Sequence, residues 1–208
     1  MKVSRIMAAS LLIITLLATV FQTTGFAGGL KIGAPMPAAD VKMKNINGEM
    51  VSIDDIKGKL GTAVIFSCNS CPWSVAWEER ITEIGNSYMG KGVGVIQINS
   101  NDPVVNAIDA FAGNVKRAAK LGIKFSFVAD NTSNVARAFG AERTPEVFLF
   151  NSENTLIYHG AVDDNAQDAA AVKGHFFIEA LDEHCAGKRV SLAETKAMGC
   201  SIKFRAGS

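Results

Sequence analysis

The stretch that most limits how this chain folds is Thr62-Ala63-Val64-Ile65-Phe66, an unbroken apolar run that stops abruptly at Ser67-Cys68-Asn69-Ser70-Cys71-Pro72. Apolar residues without polar alternation fit a strand buried on both faces, as in the middle of a parallel sheet. Downstream, Trp73, Trp77, Ile81, Ile84 and Tyr88 recur at helical spacing along one stripe. Pro72 suits the first turn of that helix, where a missing N–H costs nothing, and Gly90-Lys91-Gly92 stops it. The chain therefore predicts a buried strand, a tight turn holding two cysteines, and a helix.

The rest of the chain alternates in the same way. Val41-Lys42-Met43 and Met50-Val51-Ser52-Ile53 flank Asn47-Gly48, a strong hairpin signal. Val93–Asn99 predicts a second buried strand, followed by a helix over Val104–Leu121 that Gly122 ends. A short strand at Phe125–Val128 and a short helix at Asn134–Phe139 come next. Glu146–Phe150 and Thr155–His159 form a hairpin across residues 151–154, a last helix runs over Gln167–His184, and a tail extends from Gly187 to Ser208. Strands alternating with helices specify an α/β fold with right-handed crossovers. No internal repeat or low-complexity linker interrupts it, so a single domain is expected.

The first thirty residues are a separate object. Lys2 and Arg5 precede an apolar run from Ile6 to Phe21, and Gly25-Phe26-Ala27 supplies small residues at alternate positions. This is the pattern of a secretory signal peptide spanning residues 1–27. The alternative is an uncleaved anchor, although the apolar run is marginally short for a span of about 20 residues. Cleavage makes the protein periplasmic or extracellular, and with no second long apolar run no membrane insertion is expected afterwards. Loss of Lys2 and Arg5 takes the formal charge from +1 to −1. A near-neutral chain lacks the basic excess with which proteins neutralise nucleic-acid phosphates.

Four cysteines remain, Cys68, Cys71, Cys185 and Cys200, and an oxidising compartment lets disulfides persist among them. Cys68-Asn69-Ser70-Cys71 stands at a helix N-terminus, whose partial positive charge and free N–H groups favour a thiolate. Two intervening residues bring the sulfurs close enough for one to attack a partner and the other to resolve the mixed disulfide. A structural disulfide, or half of a zinc site completed by Cys185 and Cys200, are the other readings; the latter pair lacks the close spacing of a second ligand pair. Thr144-Pro145 directly precedes a central strand and is a candidate cis peptide, in a position where exposed backbone can pair with a bound peptide strand.

A CxxC between strand and helix, then β-α-β, then Thr144-Pro145 before a hairpin and a final helix, resembles the thioredoxin-like superfamily. Cys71-Pro72-Trp73 and the tail Gly199-Cys200-Ser201-Ile202-Lys203 are similar to its exported, redoxin-type, peroxiredoxin-related bacterial members, over about residues 33–204. The resemblance implies a three-layer α/β/α sandwich with an N-terminal β-hairpin extension and a C-terminal tail. It implies Cys68 as the exposed attacking thiolate and Cys71 as the more buried resolving thiol. Thr144 and Pro145 then form the substrate loop, with Trp73 and Trp77 flanking the site or simply packing the helix. The chain departs from thioredoxin in its Asn-Ser dipeptide, in Ser67 before the first Cys, and in Thr62 where thioredoxin buries an Asp. Water or Glu142 is left to accept the proton of the resolving thiol.

The expected activity is thiol–disulfide exchange with protein or small-molecule partners, coupled to a membrane-linked electron donor or acceptor and needing no cofactor. A thiol peroxidase is the alternative: Cys71-Pro72 resembles the peroxidatic Cys-Pro, and Arg143 is placed to hold a thiolate, but Cys68 stands where those enzymes carry Thr. A copper- or haem-handling role would draw on His159, His175 or His184, yet related copper chaperones use CxxxC. Cys185 and Cys200 are expected to form a structural disulfide, whose closed loop would stabilise by about 3 kcal/mol. The other role for Cys200 is a third redox thiol serving Cys68.

Overall fold

The computed structural model describes residues 29–206; the segment read as a signal peptide, residues 1–27, lies outside them. The chain forms β1 (Met43–Asn45), β2 (Met50–Val51), β3 (Gly61–Phe66), α1 (Pro72–Met89), β4 (Val93–Asn99), α2 (Phe111–Leu121), β5 (Ser126–Ala129), α3 (Asn134–Phe139), β6 (Arg143–Thr144), β7 (Glu146–Asn151), β8 (Leu156–Gly160), α4 (Phe176–Cys185) and β9 (Cys200–Ser201). Seven strands make one sheet in the order β2-β1-β5-β4-β3-β7-β8. β3 pairs in parallel with β4 and antiparallel with β7, placing Phe66 beside both Ile98 and Glu146. Every residue of β3 is buried, as its unbroken apolar run requires.

Two cores lie on the two faces of the sheet. Ala63 and Ile65 of β3 meet Trp77, Ile81 and Ile84 of α1 and Phe177 and Leu181 of α4. Val64 and Phe66, their neighbours on the opposite face, meet Val135, Ala136 and Phe139 of α3. Phe66, Phe139 and Phe148 pack edge-on with ring centroids 5.2–5.7 Å apart, the geometry that aromatic quadrupoles favour. Arg117 of α2 pairs with Glu78 of α1 at 2.7 Å, tying α2 to the α1 side. The result is the expected α/β/α sandwich. The N-terminal hairpin is part of the sheet itself, because β1 pairs with β5 as well as with β2.

The outer edge of β8 is covered. Gly33 N–H donates to the Leu156 carbonyl and Leu156 N–H to that of Ala34, while His159 N–H donates to Ala193 O and Thr195 N–H to His159 O. Two expected helices are shorter than their periodicity suggests. The helix expected over Val104–Leu121 begins only at Phe111, after a single 3-10 turn at Ala107–Asp109, because Asn106 and Asp109 spend their side chains on backbone N–H groups instead. The helix expected over Gln167–His184 begins at Phe176. Before it, the Asp164 carboxylate accepts the N–H groups of Lys173 and Gly174, and Asp168 accepts that of Ala170. Such local side-chain bonds compete with helix formation.

Candidate active site

β3 delivers the chain to the top of the sheet, where Ser67 N–H still donates to Ile98 O at 3.0 Å. The next residues turn into α1 with Cys71 as the N-cap in extended conformation and Pro72 in the first turn. Both sulfurs are enclosed: Cys68 is 4% exposed and Cys71 2%. Cys68 is therefore not the exposed member of the pair that the resemblance implies. Its Sγ lies 3.3 Å from the Thr144 hydroxyl and 3.8 Å from that of Ser70, while the Cys71 thiol donates to the Thr144 carbonyl at 3.1 Å. The Thr144-Pro145 bond is cis, and Thr144 thus touches both cysteines.

The two thiols titrate as one unit. A thiolate on Cys71 accepts from the Cys68 S–H, and the Cys200 S–H and the backbone N–H groups of Ser74 and Cys200 add to this, which lowers its pKa despite burial, to about 4. Cys68 moves the opposite way, upward, because it holds the shared proton, is buried, and faces the Asp109 carboxylate. The low-pKa sulfur is thus the one at the helix N-terminus, where the aligned N–H groups act.

Asp109 is the residue that sequence reasoning missed. It is 4% exposed, and its Oδ1 accepts the backbone N–H of Asn69 at 2.6 Å and of Ser70 at 3.3 Å. Its Oδ2 accepts the Ser70 hydroxyl at 2.5 Å and the Asn101 amide at 3.0 Å. Asn69 completes the brace by donating to Ile108 O and to Asn114 Oδ1. The residues between the cysteines are therefore held by a buried carboxylate that the expected helix had hidden. Glu142, suggested as a proton acceptor, is exposed; the buried acid nearby is Glu146. Glu146 accepts the N–H groups of Glu142 and Arg143, each at 2.8 Å, and meets His159 Nε2 at 2.7 Å. It fixes the turn that presents Thr144.

The tail also reaches the site. β9 pairs antiparallel with β6, matching Arg143 with Ser201 and Thr144 with Cys200. The backbone of Thr144, expected to receive a peptide strand, is occupied by the chain's own tail. Cys200 lies against Cys71, and burial together with that neighbour pushes its thiol up to about 11. Cys185 is elsewhere. It ends α4, next to His184, whose Nε2 donates to Leu60 O just before β3 begins. Cys200 sits beyond the other end of β3, and six residues of strand span about 20 Å. The expected Cys185–Cys200 disulfide is not formed, and all four cysteines are free. A bridge needs Cα atoms within about 7 Å.

A cavity of about 220 Å³ opens beside Cys68, Ser70, Cys71 and Cys200. Val105 lines it together with Asn101, Asn106, Ser201 and Lys203, so its wall mixes one aliphatic side chain with polar ones. Trp77 is a core residue donating to Asp163 at 2.7 Å, and Trp73 packs beside it with ring centroids 5.9 Å apart. Of the three histidines, His159 pairs with Glu146, His184 with Leu60 O, and His175 precedes α4. No group of three or more His, Cys, Asp or Glu side chains arranged for a metal occurs among the described residues.

Comparison with known proteins agrees with this geometry. The family model described as Redoxin matches residues 31–173, whereas no curated protein matches. An uncharacterized conserved protein from Geobacillus kaustophilus is similar at 30% identity and TM-score 0.80, covering 86% of this chain and 94% of its own. A hypothetical protein from Sinorhizobium meliloti 1021 is similar at 30% identity and TM-score 0.78, covering 86% and 98%. The bacterioferritin comigratory protein of Xanthomonas campestris, described for alkyl peroxide reduction, shares the fold at 17% identity and TM-score 0.56, over 74% of this chain and 99% of its own. With paired thiols at the sheet's end and a family match over more than half of its length, the chain belongs to the Redoxin family of thioredoxin-like, thiol-based oxidoreductases.

Proposed function

We propose that the protein is an exported thiol–disulfide oxidoreductase in which Cys68 and Cys71 are the exchanging pair. The observation that carries this reading is the enclosed pair of thiols at the N-terminus of α1, both meeting Thr144 and opening onto a cavity of about 220 Å³. The Cys71 thiolate attacks one sulfur of a substrate disulfide, forming a mixed disulfide and releasing one thiolate that takes up a proton. Cys68 then gives up its proton and attacks Cys71, closing the Cys68–Cys71 bond and releasing the second thiol. Two protein thiols are oxidised and one substrate disulfide is reduced; the reverse sequence oxidises a substrate dithiol. An exported protein of this kind exchanges electrons with a membrane-linked donor or acceptor.

The thiolate directly before Pro72 also favours a second reading, attack on a hydroperoxide with Cys68 resolving the sulfenic acid. One experiment separates the two. Reduced protein is mixed in single turnover with a low-mass aromatic disulfide or with hydrogen peroxide, and tryptophan fluorescence is followed. Disulfide exchange requires fast reaction with the disulfide, an ordinary thiol's rate with peroxide, loss of the reaction in Cys71→Ser, and a mixed disulfide trapped on Cys71 in the double variant Cys68→Ser/Cys200→Ser. A fast peroxide phase with a slow disulfide phase would make the protein a peroxidase instead.

A further inference from the structure

The tail is built into the site rather than laid over it. Besides the β6–β9 pairing, Ile202 N–H donates to Glu142 O at 2.9 Å, Lys203 N–H to the Asn101 side chain at 2.9 Å, and Asp102 N–H to Lys203 O at 2.7 Å. Ile202 is buried in the core of the α3 face. Gly199 approaches so closely that a Cβ there would stand 2.1 Å from the Thr144 carbonyl oxygen. A strand running antiparallel to the segment before a cis proline, with a cysteine beside the active sulfurs, occupies the place of an extended substrate strand. Here the chain supplies that strand itself.

We propose that residues 199–203 are an internal substrate strand and that Cys200 is a third exchanging thiol, forming a Cys71–Cys200 disulfide in alternation with Cys68–Cys71. This deepens the thiol–disulfide reading and rests on it. Cys71 is the common partner: its thiol donates to the Thr144 carbonyl, Thr144 is matched with Cys200 across β6 and β9 and meets the Cys68 sulfur, and all three cysteines line one cavity. When the Cys68–Cys71 bond is formed, Cys200 loses its proton and attacks the Cys71 sulfur. The Cys71–Cys200 bond forms, the Cys68–Cys71 bond breaks, and Cys68 leaves as a thiolate that takes up the proton. No electrons enter or leave the protein. The exchange moves the disulfide onto the tail at the cavity wall and frees Cys68.

The same geometry sets the substrate class. With its β6 edge occupied, the site does not accept an extended polypeptide by strand pairing. Its external substrates are small disulfides or thiols that fit the cavity beside Cys71.

The test uses the full chain, with an aromatic disulfide as oxidant. Cys68→Ser keeps three thiols, Cys71, Cys185 and Cys200, and a serine hydroxyl fits where Cys68 faces the Thr144 hydroxyl. One equivalent of oxidant is added, thiols are counted, and peptides are mapped by mass spectrometry. The proposal expects loss of two thiols, release of both aromatic thiols, and a Cys71–Cys200 peptide pair, with Cys185 still alkylatable. A stable aromatic adduct on Cys71 with Cys200 free overturns it. Wild-type protein run in parallel judges the underlying reading separately, since that reading requires a Cys68–Cys71 pair there. Should Cys68→Ser not fold, Cys200 alkylation in the wild type decides. Limited oxidation must protect Cys200 in a fraction of molecules at least tenfold above Cys185, and equal labelling overturns the proposal.

Discussion

Replacing Asp109 by Asn changes one atom and tests the brace around the cysteine turn. The carboxylate accepts five hydrogen bonds: from the backbone N–H groups of Asn69 and Ser70, the Ser70 hydroxyl, and the amides of Asn99 and Asn101. An Asn side chain keeps one oxygen, which can stay on the backbone N–H groups. Its NH₂ then faces the Ser70 hydroxyl, which can turn and accept, and the Asn101 NH₂, which cannot. Flipping Asn101 offers no escape, because its oxygen already accepts from Lys203 N–H. Hydrogen bonds to a charged group contribute about 1.5–3 kcal/mol against about 1 for neutral pairs, and an unsatisfied buried donor costs about 1–3 kcal/mol. Two downgraded short bonds and one orphaned donor give a loss of about 3 kcal/mol. For a chain of this size that lowers Tm by roughly 6–12 °C. The same change removes a negative charge that raises the Cys68 pKa, so Cys68 becomes easier to alkylate while the fold becomes weaker. Calorimetry and residue-resolved alkylation of the reduced protein check both. A Tm within 2 °C of wild type, or slower alkylation of Cys68, would refute the reasoning.

Three further outcomes are expected. Because the folded pKa of Cys71, about 4, lies below the ordinary thiol value of 9.0, the reduced protein gains stability as pH rises from about 4 toward 9. Above that it loses stability, because Cys68 and Cys200 are shifted upward; urea midpoints at pH 5 and 8 should rise in wild type and stay level in Cys71→Ser. Gly199→Ala forces a methyl against the Thr144 carbonyl and should cost about 1–3 kcal/mol as overpacking, with Cys200 alkylated at least tenfold faster; an unchanged rate would mean that the tail does not depend on that close approach. Glu146→Gln keeps one oxygen on the two backbone N–H groups, which already share Oε2, but makes those bonds neutral and turns an NH₂ toward His159 Nε2, which should cost about 1–2 kcal/mol in a denaturant melt.

The centre of the fold was legible because its signals are local. An unbroken apolar run identifies β3, and a Cys-Pro step followed by a stripe of large side chains identifies α1. Thr144-Pro145 was legible for the same reason: one dipeptide before a strand. Asp109 was hidden because Val104–Leu121 reads as one helix, and nothing local says that its middle acid turns inward to serve residues forty positions earlier. The tail strand was hidden because two residues carry no periodicity, and its partner β6 is equally short. Cys185 seemed the natural partner for Cys200 by proximity in the chain, whereas the fold carries the tail past it to the opposite end of the sheet. The donors that Cys200 and Ser74 add around Cys71 were likewise out of reach.

The covering of β8 by the segments at residues 33–36 and 193–195 bears on how the protein behaves when crowded. Exposed sheet edges are templates on which other chains add strands, and natural proteins shorten or shield them. One edge of this sheet is only two residues long at β2, and the other is shielded along β8. The two-residue edge of β6 is matched by β9. A molecule that opened its tail to expose the cysteines would therefore offer neighbours only a two-residue ledge, too short to seed a growing sheet.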